Sequence, residues 1–277
     1  MKQLYLQPGT TEENTTLASS INGFYVGKII DFLFTKRRLE YTSFPTLTVV
    51  IPLYNEEKIV MAKTAHLIKY LRRFYNNFEV LLSENGSTDR TLEIVKELSK
   101  SYKEVSYCSL PNPDFCSAIK AGVRASKSEK VVWMGIDYSK EVTFITQAEK
   151  ALDDFDIVLG SKKIGKDYRK PYRIVVSRGF NFLVRLIFGL HYADVEGYQA
   201  YRKSMVIDLL DLVSATGHLF NLELLLLARK KGLIVAEIPI VVYEIRKSKY
   251  LGNFRKLLKA ITISLIGFIS LKRRERY

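Results

Sequence analysis

Three short hydrophobic runs in this sequence end in residues able to do polar chemistry. "LTVVIPLY" (47–54) leads into Asn55 and Glu56, "FEVLLSEN" (78–85) closes on Glu84 and Asn85, and "VVWMGID" (131–137) closes on one carboxylate, Asp137, with Gly135 two positions earlier. If the runs are parallel strands of one sheet, right-handed crossovers bring their carboxyl ends to one edge, where open α/β sheets bind ligands. Tyr54, Glu56, Glu84, Asn85 and Asp137 then converge on one crevice despite their separation in the chain. Asn85 offers a donor and an acceptor without charge. Asp137 has two readings at this stage: a functional carboxylate in the crevice, or the cap of the helix that follows, a position Asp often takes.

The elements that must position these residues are legible as an alternation. After the first run, Val60, Leu67, Ile68, Leu71, Phe74 and Tyr75 recur at three- and four-residue spacing, which predicts a helix. The second run is followed by "STDRTLEIVKELSKSY", a helix with Ser87 or Thr88 as N-cap. A strand at "VSYCSL", a helix over 115–125 and a strand at "KVVWMGID" continue the series. The fold class is therefore α/β, a parallel sheet with helices on both faces. Beyond residue 156 the pattern loosens: a strand at "DIVLGSK", an amphipathic stretch "YRIVVSRGFNFLVRLIFGL", a turn "ADVEGYQAYRK", a leucine-rich core helix "LFNLELLLLARKKG" stopped by Gly232, and a strand "LIVAEIPIVVYEIR". The organisation expected is an extension over 1–45 with a basic amphipathic helix, one domain over 46–250, and a C-terminal amphipathic helix over 251–277.

Charge narrows the partners. The 277 residues carry a formal net charge of +14, which favours nucleic acid, anionic lipid or phosphorylated ligands. Nucleic acid is not expected, since the interleaved aromatic and glycine-rich signatures are missing. Two cysteines, Cys108 and Cys116, exclude a zinc framework and suit a reducing compartment. His66, His191 and His218 are scattered and read as structural. The N-terminal residues lack the charged-then-apolar layout of a signal peptide. No segment reaches the roughly 18 apolar residues of a spanning helix. Two shorter runs, "FYVGKIIDFLF" (24–34) before "TKRR" and "AITISLIGFISL" (260–271) before "KRRER", are bounded by basic residues. Each reads either as a core helix or as a helix lying in the interface of an anionic membrane; one at each end favours the membrane. The location expected is the cytoplasmic face of a membrane, peripheral or monotopic.

In order, "VVIPLYNEE", "ENGSTDRT", the strand ending in Asp137, "LGSKK", "RIVVSRGFN", "DVEGYQAYRK" and "EIPIVVYEIRKSK" resemble the family 2 glycosyltransferases. Within them the chain is most similar to the dolichyl-phosphate mannose synthases and the related glucosyl and polyprenyl-phosphate sugar transferases. The resemblance covers residues 47–250. It implies a GT-A-like, Rossmann-related fold and an inverting transfer of a hexose from a GDP-mannose or UDP-glucose type donor to a dolichyl or polyprenyl phosphate. By resemblance, Pro52, Tyr54, Glu56, Glu84, Asn85 and Asp89 hold the donor nucleotide, although Glu84-Asn85 stands where the family has two aspartates. The family's Asp-X-Asp becomes Gly135-Ile136-Asp137, so Asp137 is left as the catalytic and metal-binding carboxylate. Mg²⁺ commonly keeps several waters and uses one or two carboxylates, so Mg²⁺ or Mn²⁺ dependence is expected to be weakened, not lost. Glu141 is the candidate replacement ligand and Lys140 the candidate replacement cation. The acceptor phosphate falls to Lys162, Arg173, Ser177 and Arg246, with Lys247 and Lys249 as alternatives to Arg246. Lys162 replaces an arginine, which keeps the charge and gives up planar bidentate binding. Asp194 and Arg202 match a family element read either as a structural pair or as a device orienting the acceptor. Glu223 matches a position read as a buried structural partner. An ionised lipid phosphate needs no general base. The departures at Glu84, Asn85 and Gly135 also allow a non-catalytic paralogue that binds nucleotide sugar or serves as a partner subunit.

Overall fold

Strands β1 (Thr48–Leu53), β2 (Glu79–Asn85), β3 (Val105–Leu110) and β4 (Lys130–Trp133) lie parallel in the order β3-β2-β1-β4. The computed structural model describes residues 44–138, 142–217, 219–243 and 254–275. Within them the sheet continues through β6 (Gln199–Arg202), β5 (Ile157–Tyr168) and β7 (Val235–Tyr243) to seven strands. Every residue of β1 and β2 is buried, as expected of parallel strands covered on both faces.

Side-chain alternation along β1 divides the core in two. Val50 enters one cluster with Val123, Leu159, Leu224 and Phe268, whereas Val49 and Ile51 enter another with Leu67, Val95 and Phe144. The first face is covered by α3 (Phe115–Ala125), α5 (Pro171–Phe188), α6 (Lys203–Leu212), α7 (Leu219–Lys230) and α8 (Phe254–Glu275). The second is covered by α1 (Val60–Leu71), α2 (Thr91–Ser101) and α4 (Thr143–Ala151).

Two differences from the sequence reading bear on the site. The predicted turn over 193–203 contains β6, which runs antiparallel between β4 and β5, so the sheet is mostly, not wholly, parallel. Four residues are too few to show a period, and what holds them is tertiary. Trp133 Nε1 donates to Tyr201 Oη at 2.9 Å, and Tyr201 Oη donates to Gln199 Oε1 at 2.6 Å. Gly197 admits the chain there, because a Cβ on it would stand 1.8 Å from the Gly160 carbonyl oxygen. The second difference is that β4 ends at Trp133 and does not run on to Asp137. Its last bond to β1 is Met134 N–H to the Val50 carbonyl, after which the strands part.

The C-terminal helix is also more embedded than its sequence suggests. Phe268 and Leu271 of α8 are buried, Phe268 packs on Phe180 and Phe188, and Arg274 reaches Glu223 at 2.7 Å. An amphipathic run in this part is thus divided, with Leu265, Ile266 and Ile269 left exposed. Among the described residues no helix is long and apolar enough to cross a membrane. The run over 24–34 lies outside the described residues.

Candidate active site

The strand order reverses between β1 and β4, the place where sheets of this kind open a ligand crevice. Pro52 marks that opening. Val50 directs its carbonyl towards β4, and Pro52, two residues on, presents to the same side a backbone nitrogen that cannot donate, beyond the point where β4 has left. No ladder bond is sacrificed.

The loop after β1 is tied to the loop after β2 by side chains acting on backbone. Asn55 sits in the left-handed region (φ 55°), which Asn tolerates better than most residues. Its N–H donates to Ser87 Oγ at 3.0 Å and its Oδ1 accepts from Thr88 N–H at 2.8 Å. Glu56 N–H donates to Thr91 Oγ1 at 2.8 Å. Asp89 accepts from Glu57 N–H at 3.3 Å and Thr91 N–H at 3.0 Å. Ser87 and Thr88 are therefore loop ties and not the N-cap of α2, a position held by Arg90 without a side-chain bond. Burial works to raise the Asp89 carboxyl, but the donors from Thr91 and Glu57 outweigh it and hold the group below its ordinary value.

Glu84 is 1% exposed and already committed. It accepts from Ser87 N–H at 2.6 Å and Ser109 Oγ at 2.5 Å. Burial pushes its carboxyl upwards, and the hydrogen bonds from Ser109 and Ser87 reverse that push, leaving it lowered. Asn85, also buried, accepts from Asp114 N–H at 2.7 Å and so fixes the head of α3, where Asp114 is the N-cap. Of the six residues expected at the nucleotide, Glu84, Asn85 and Asp89 thus shape the crevice from behind. Tyr54 is exposed and Glu56 half-buried in the loop that follows β1.

Asp137 stands half-buried where β4 has parted from β1. It does not cap α4, whose N-cap is Val142 with no side-chain bond. The next residue anchors it: Tyr138 Oη donates to the Lys63 carbonyl at 2.6 Å, Lys63 Nζ returns a bond to the Tyr138 carbonyl at 2.5 Å, and His66 Nδ1 lies 3.2 Å from the hydroxyl. A Cβ on Gly135 would come within 2.8 Å of Asp137 Oδ1. The surviving carboxylate therefore leans over the place from which the absent one would project. Among the described residues no group of three His, Cys, Asp or Glu could enclose a metal. A single carboxylate still fits a Mg²⁺ or Mn²⁺ ion that draws its other ligands from phosphate and water. Lys140 and Glu141 lie outside the described residues, as do His218 and Arg246.

A second group of predicted residues meets at the end of β5, which projects past the same sheet edge. A cavity of about 120 Å³ is lined by Lys162, Ser177, Arg178, Asn181, Asp167 and Asp194, among others. Lys162 Nζ pairs with Asp194 at 2.5 Å. Arg169 pairs with Asp167 at 2.7 Å. Arg173 occupies the first turn of α5, with Ser177 one turn on. Burial pushes the Glu196 carboxyl up and nearby Lys162 pulls it down, with a net rise to which Asp194 adds. Arg202 does not join this cluster. It lies opposite Lys130 at the start of β4, on the other edge of the sheet, and pairs loosely with Asp156 at 3.7 Å. The Asp194–Arg202 pair expected from sequence is replaced by Asp194–Lys162, because β6 carries Arg202 away from the loop that holds Asp194.

Sequence reasoning singled out Asn55 as a polar residue at the end of β1, and missed Lys63, Arg169 and Glu196 at these sites. Lys63 acquires its meaning through Tyr138, 75 positions away, Glu196 through Lys162, and Arg169 through Asp167 beside it and the charges of Asp194 and Glu196.

Comparison with known proteins bears on the family and the fold. Dolichyl-phosphate β-glucosyltransferases ALG5D and ALG5C of Trichomonas vaginalis are each 27% identical, over 73% of this chain and 67% and 65% of their own lengths. The chain thus spans about two thirds of the length of these relatives. Among solved structures, glucosyl-3-phosphoglycerate synthase of Mycobacterium tuberculosis, in complex with Mn²⁺, UDP and glucosyl-3-phosphoglycerate, superposes with a TM-score of 0.59 at 19% identity, covering 86% of each chain. That likeness establishes a GT-A-like fold. Residues 48–210, more than half of the chain, match Glycosyl transferase family 2, and the protein is a glycosyltransferase belonging to that family.

Proposed function

We propose that this glycosyltransferase moves glucose, with inversion, from a nucleoside-diphosphate sugar to a dolichyl or polyprenyl phosphate at the cytoplasmic face of a membrane. The observation that carries the reading is the placement of two unlike sites on one sheet edge: the Asp137 crevice at the β1–β4 opening, and the Lys162–Ser177 cavity at the end of β5. The first suits a nucleoside diphosphate and the second a phosphate monoester. The names of the similar glucosyltransferases support the acceptor and the sugar.

An acceptor phosphate is ionised near neutral pH, so its oxygen attacks the anomeric carbon without a base, from the face opposite the leaving diphosphate. Lys162, Arg173 and Ser177 hold and orient that phosphate. Pro52, Tyr54 and Glu56 border the donor, on loops that Glu84, Asn85 and Asp89 keep rigid. Asp137 would hold a divalent cation, which when bound offsets charge on the departing diphosphate. With Gly135 in place of a second carboxylate, that dependence is weakened.

Exposed apolar side chains support the membrane. Val175, Phe182 and Leu186 form one stripe along α5 and are 68%, 64% and 70% exposed, and Leu265, Ile266 and Ile269 of α8, which packs on α5 through Phe268, are exposed as well. Arg178 and Arg185 of α5 and Lys272 and Arg273 of α8 flank this surface, as suits anionic head groups.

The test is transfer of labelled sugar from UDP-glucose, GDP-mannose, UDP-galactose and UDP-N-acetylglucosamine to a polyprenyl phosphate, with Mg²⁺, Mn²⁺ or chelator. A lipid-linked glucose from UDP-glucose, reduced but not abolished in chelator, is expected. Donor binding without product from any donor would favour the non-catalytic paralogue.

A further inference from the structure

Lys162 does not enter the cavity as a free cation. Its ammonium lies 2.5 Å from Asp194 Oδ2, and its backbone N–H donates to the same oxygen at 3.3 Å. The Lys162 side chain is 11% exposed and that of Asp194 1%, so the ammonium has lost most of its water and takes its direction from the carboxylate. Asp194 is held in turn. Glu237, buried on β7, accepts from Ala193 N–H at 2.9 and 2.8 Å and from Asp194 N–H at 3.1 Å. Glu196 N–H donates to the other Asp194 oxygen at 3.3 Å.

This arrangement is unfavourable as a mere brace. Burial drives the Glu237 carboxyl up, and the charge on Asp194 adds to the rise against the pull of the two amides. Stability alone would favour apolar residues at such a pair. Yet both Lys162 and Asp194 border the cavity, together with Ser177 and Asn181. An ammonium has three donors; with one on Asp194, the others remain for an anion in the cavity.

We propose that Asp194 is a positioning residue of the acceptor site. It acts through Lys162, aiming the ammonium at a phosphate monoester, and Glu237 holds the turn that carries it. This rests on the acceptor reading above, and it resolves the two roles left open for Asp194 in favour of orientation, while Arg202 stays structural.

The experiment measures transfer to a short polyprenyl phosphate, and separately the binding of farnesyl phosphate by calorimetry, for wild type, Asp194→Asn and Asp194→Glu. Losing a charge-assisted hydrogen bond should raise the acceptor KM and the farnesyl phosphate Kd about tenfold or more in Asp194→Asn, with kcat and donor KM within about twofold. Asp194→Glu should recover part of the loss. An unchanged acceptor KM and Kd, or an equal loss for donor and acceptor, overturns the proposal. If Asp194→Asn does not fold, the pair is read from its other side: Lys162→Met should weaken the acceptor as much and Lys162→Arg should retain most of it, whereas wild-type acceptor binding by Lys162→Met overturns it. The two failures are separable. A wild type that binds farnesyl phosphate in an Asp194-dependent way but transfers no sugar refutes the function and leaves the phosphate site standing.

Discussion

The two halves of the candidate site bury carboxylates for opposite ends. At the β1–β4 opening, Glu84 accepts hydrogen bonds from Ser87 and from Ser109 of β3, and Asp89 from Glu57 and from Thr91 of α2, and both are held below their ordinary values against the push of desolvation. At the end of β5, Glu196 and Glu237 crowd against Asp194, and both are raised. The first half satisfies its acids with neutral donors from the neighbouring loops, strand and helix, which makes a rigid wall for a ligand. The second sets Glu196 and Glu237 against Asp194, with Lys162 paired to Asp194 and Arg169 to Asp167. A donor that must be held still and a charged acceptor that must be admitted would need that contrast.

The largest test of the comparison is at its centre. Asp137→Asn should lower turnover by about a hundredfold or more, since it removes the carboxylate that would hold the cation offsetting diphosphate charge. Thermal stability should change little, because Tyr138 and Lys63 anchor the loop through two hydrogen bonds that the substitution leaves in place. A variant with near-normal turnover in initial-rate assays would remove the chemistry from the β1–β4 opening.

How much of this was legible in sequence follows the same division. The four parallel strands and their polar ends were readable because each strand and its following helix carry a local period, and the crossover rule then assembles them. The acceptor half resisted. β6 has four residues and is held by Trp133 and by the close passage of Gly197 over Gly160. Lys162 meets Asp194 across 32 positions. No period connects them, so motif matching paired Asp194 with Arg202, which the antiparallel strand carries to the far edge. Even in the donor half, residue type alone misled at Ser87 and Thr88, which resemble a helix cap and instead tie down Asn55.

An intermediate effect is expected on the outer surface of the acceptor half. Replacing Val175, Phe182 and Leu186 together by Ser should weaken co-sedimentation with anionic vesicles about tenfold, while circular dichroism stays unchanged because the three side chains are mostly exposed. Vesicle binding equal to wild type would leave α5 without a membrane role.

The smallest effect distinguishes the halves by pH. A carboxyl lowered in the folded state contributes stability that is present above its unfolded value and lost as pH falls through the folded value. For Glu84, whose ordinary value is 4.5, the loss lies on the acid side of that point. A raised carboxyl has the opposite sign: its contribution is full below the unfolded value and is lost as pH rises through the folded one. For Glu237, with the same ordinary value of 4.5, that window lies above it. Glu84→Gln should therefore lower the melting temperature by about 2–4 °C near neutral pH, the scale of about 1 kcal/mol in a chain of this size, and the difference should shrink in acid. Glu237→Gln mimics the protonated form, so its melting temperature should fall less than that of wild type as pH rises above 4.5. Parallel pH profiles for the two variants in differential scanning calorimetry would show that the halves carry the same electrostatic strain, and the contrast drawn between a satisfied donor wall and a crowded acceptor pocket would fail.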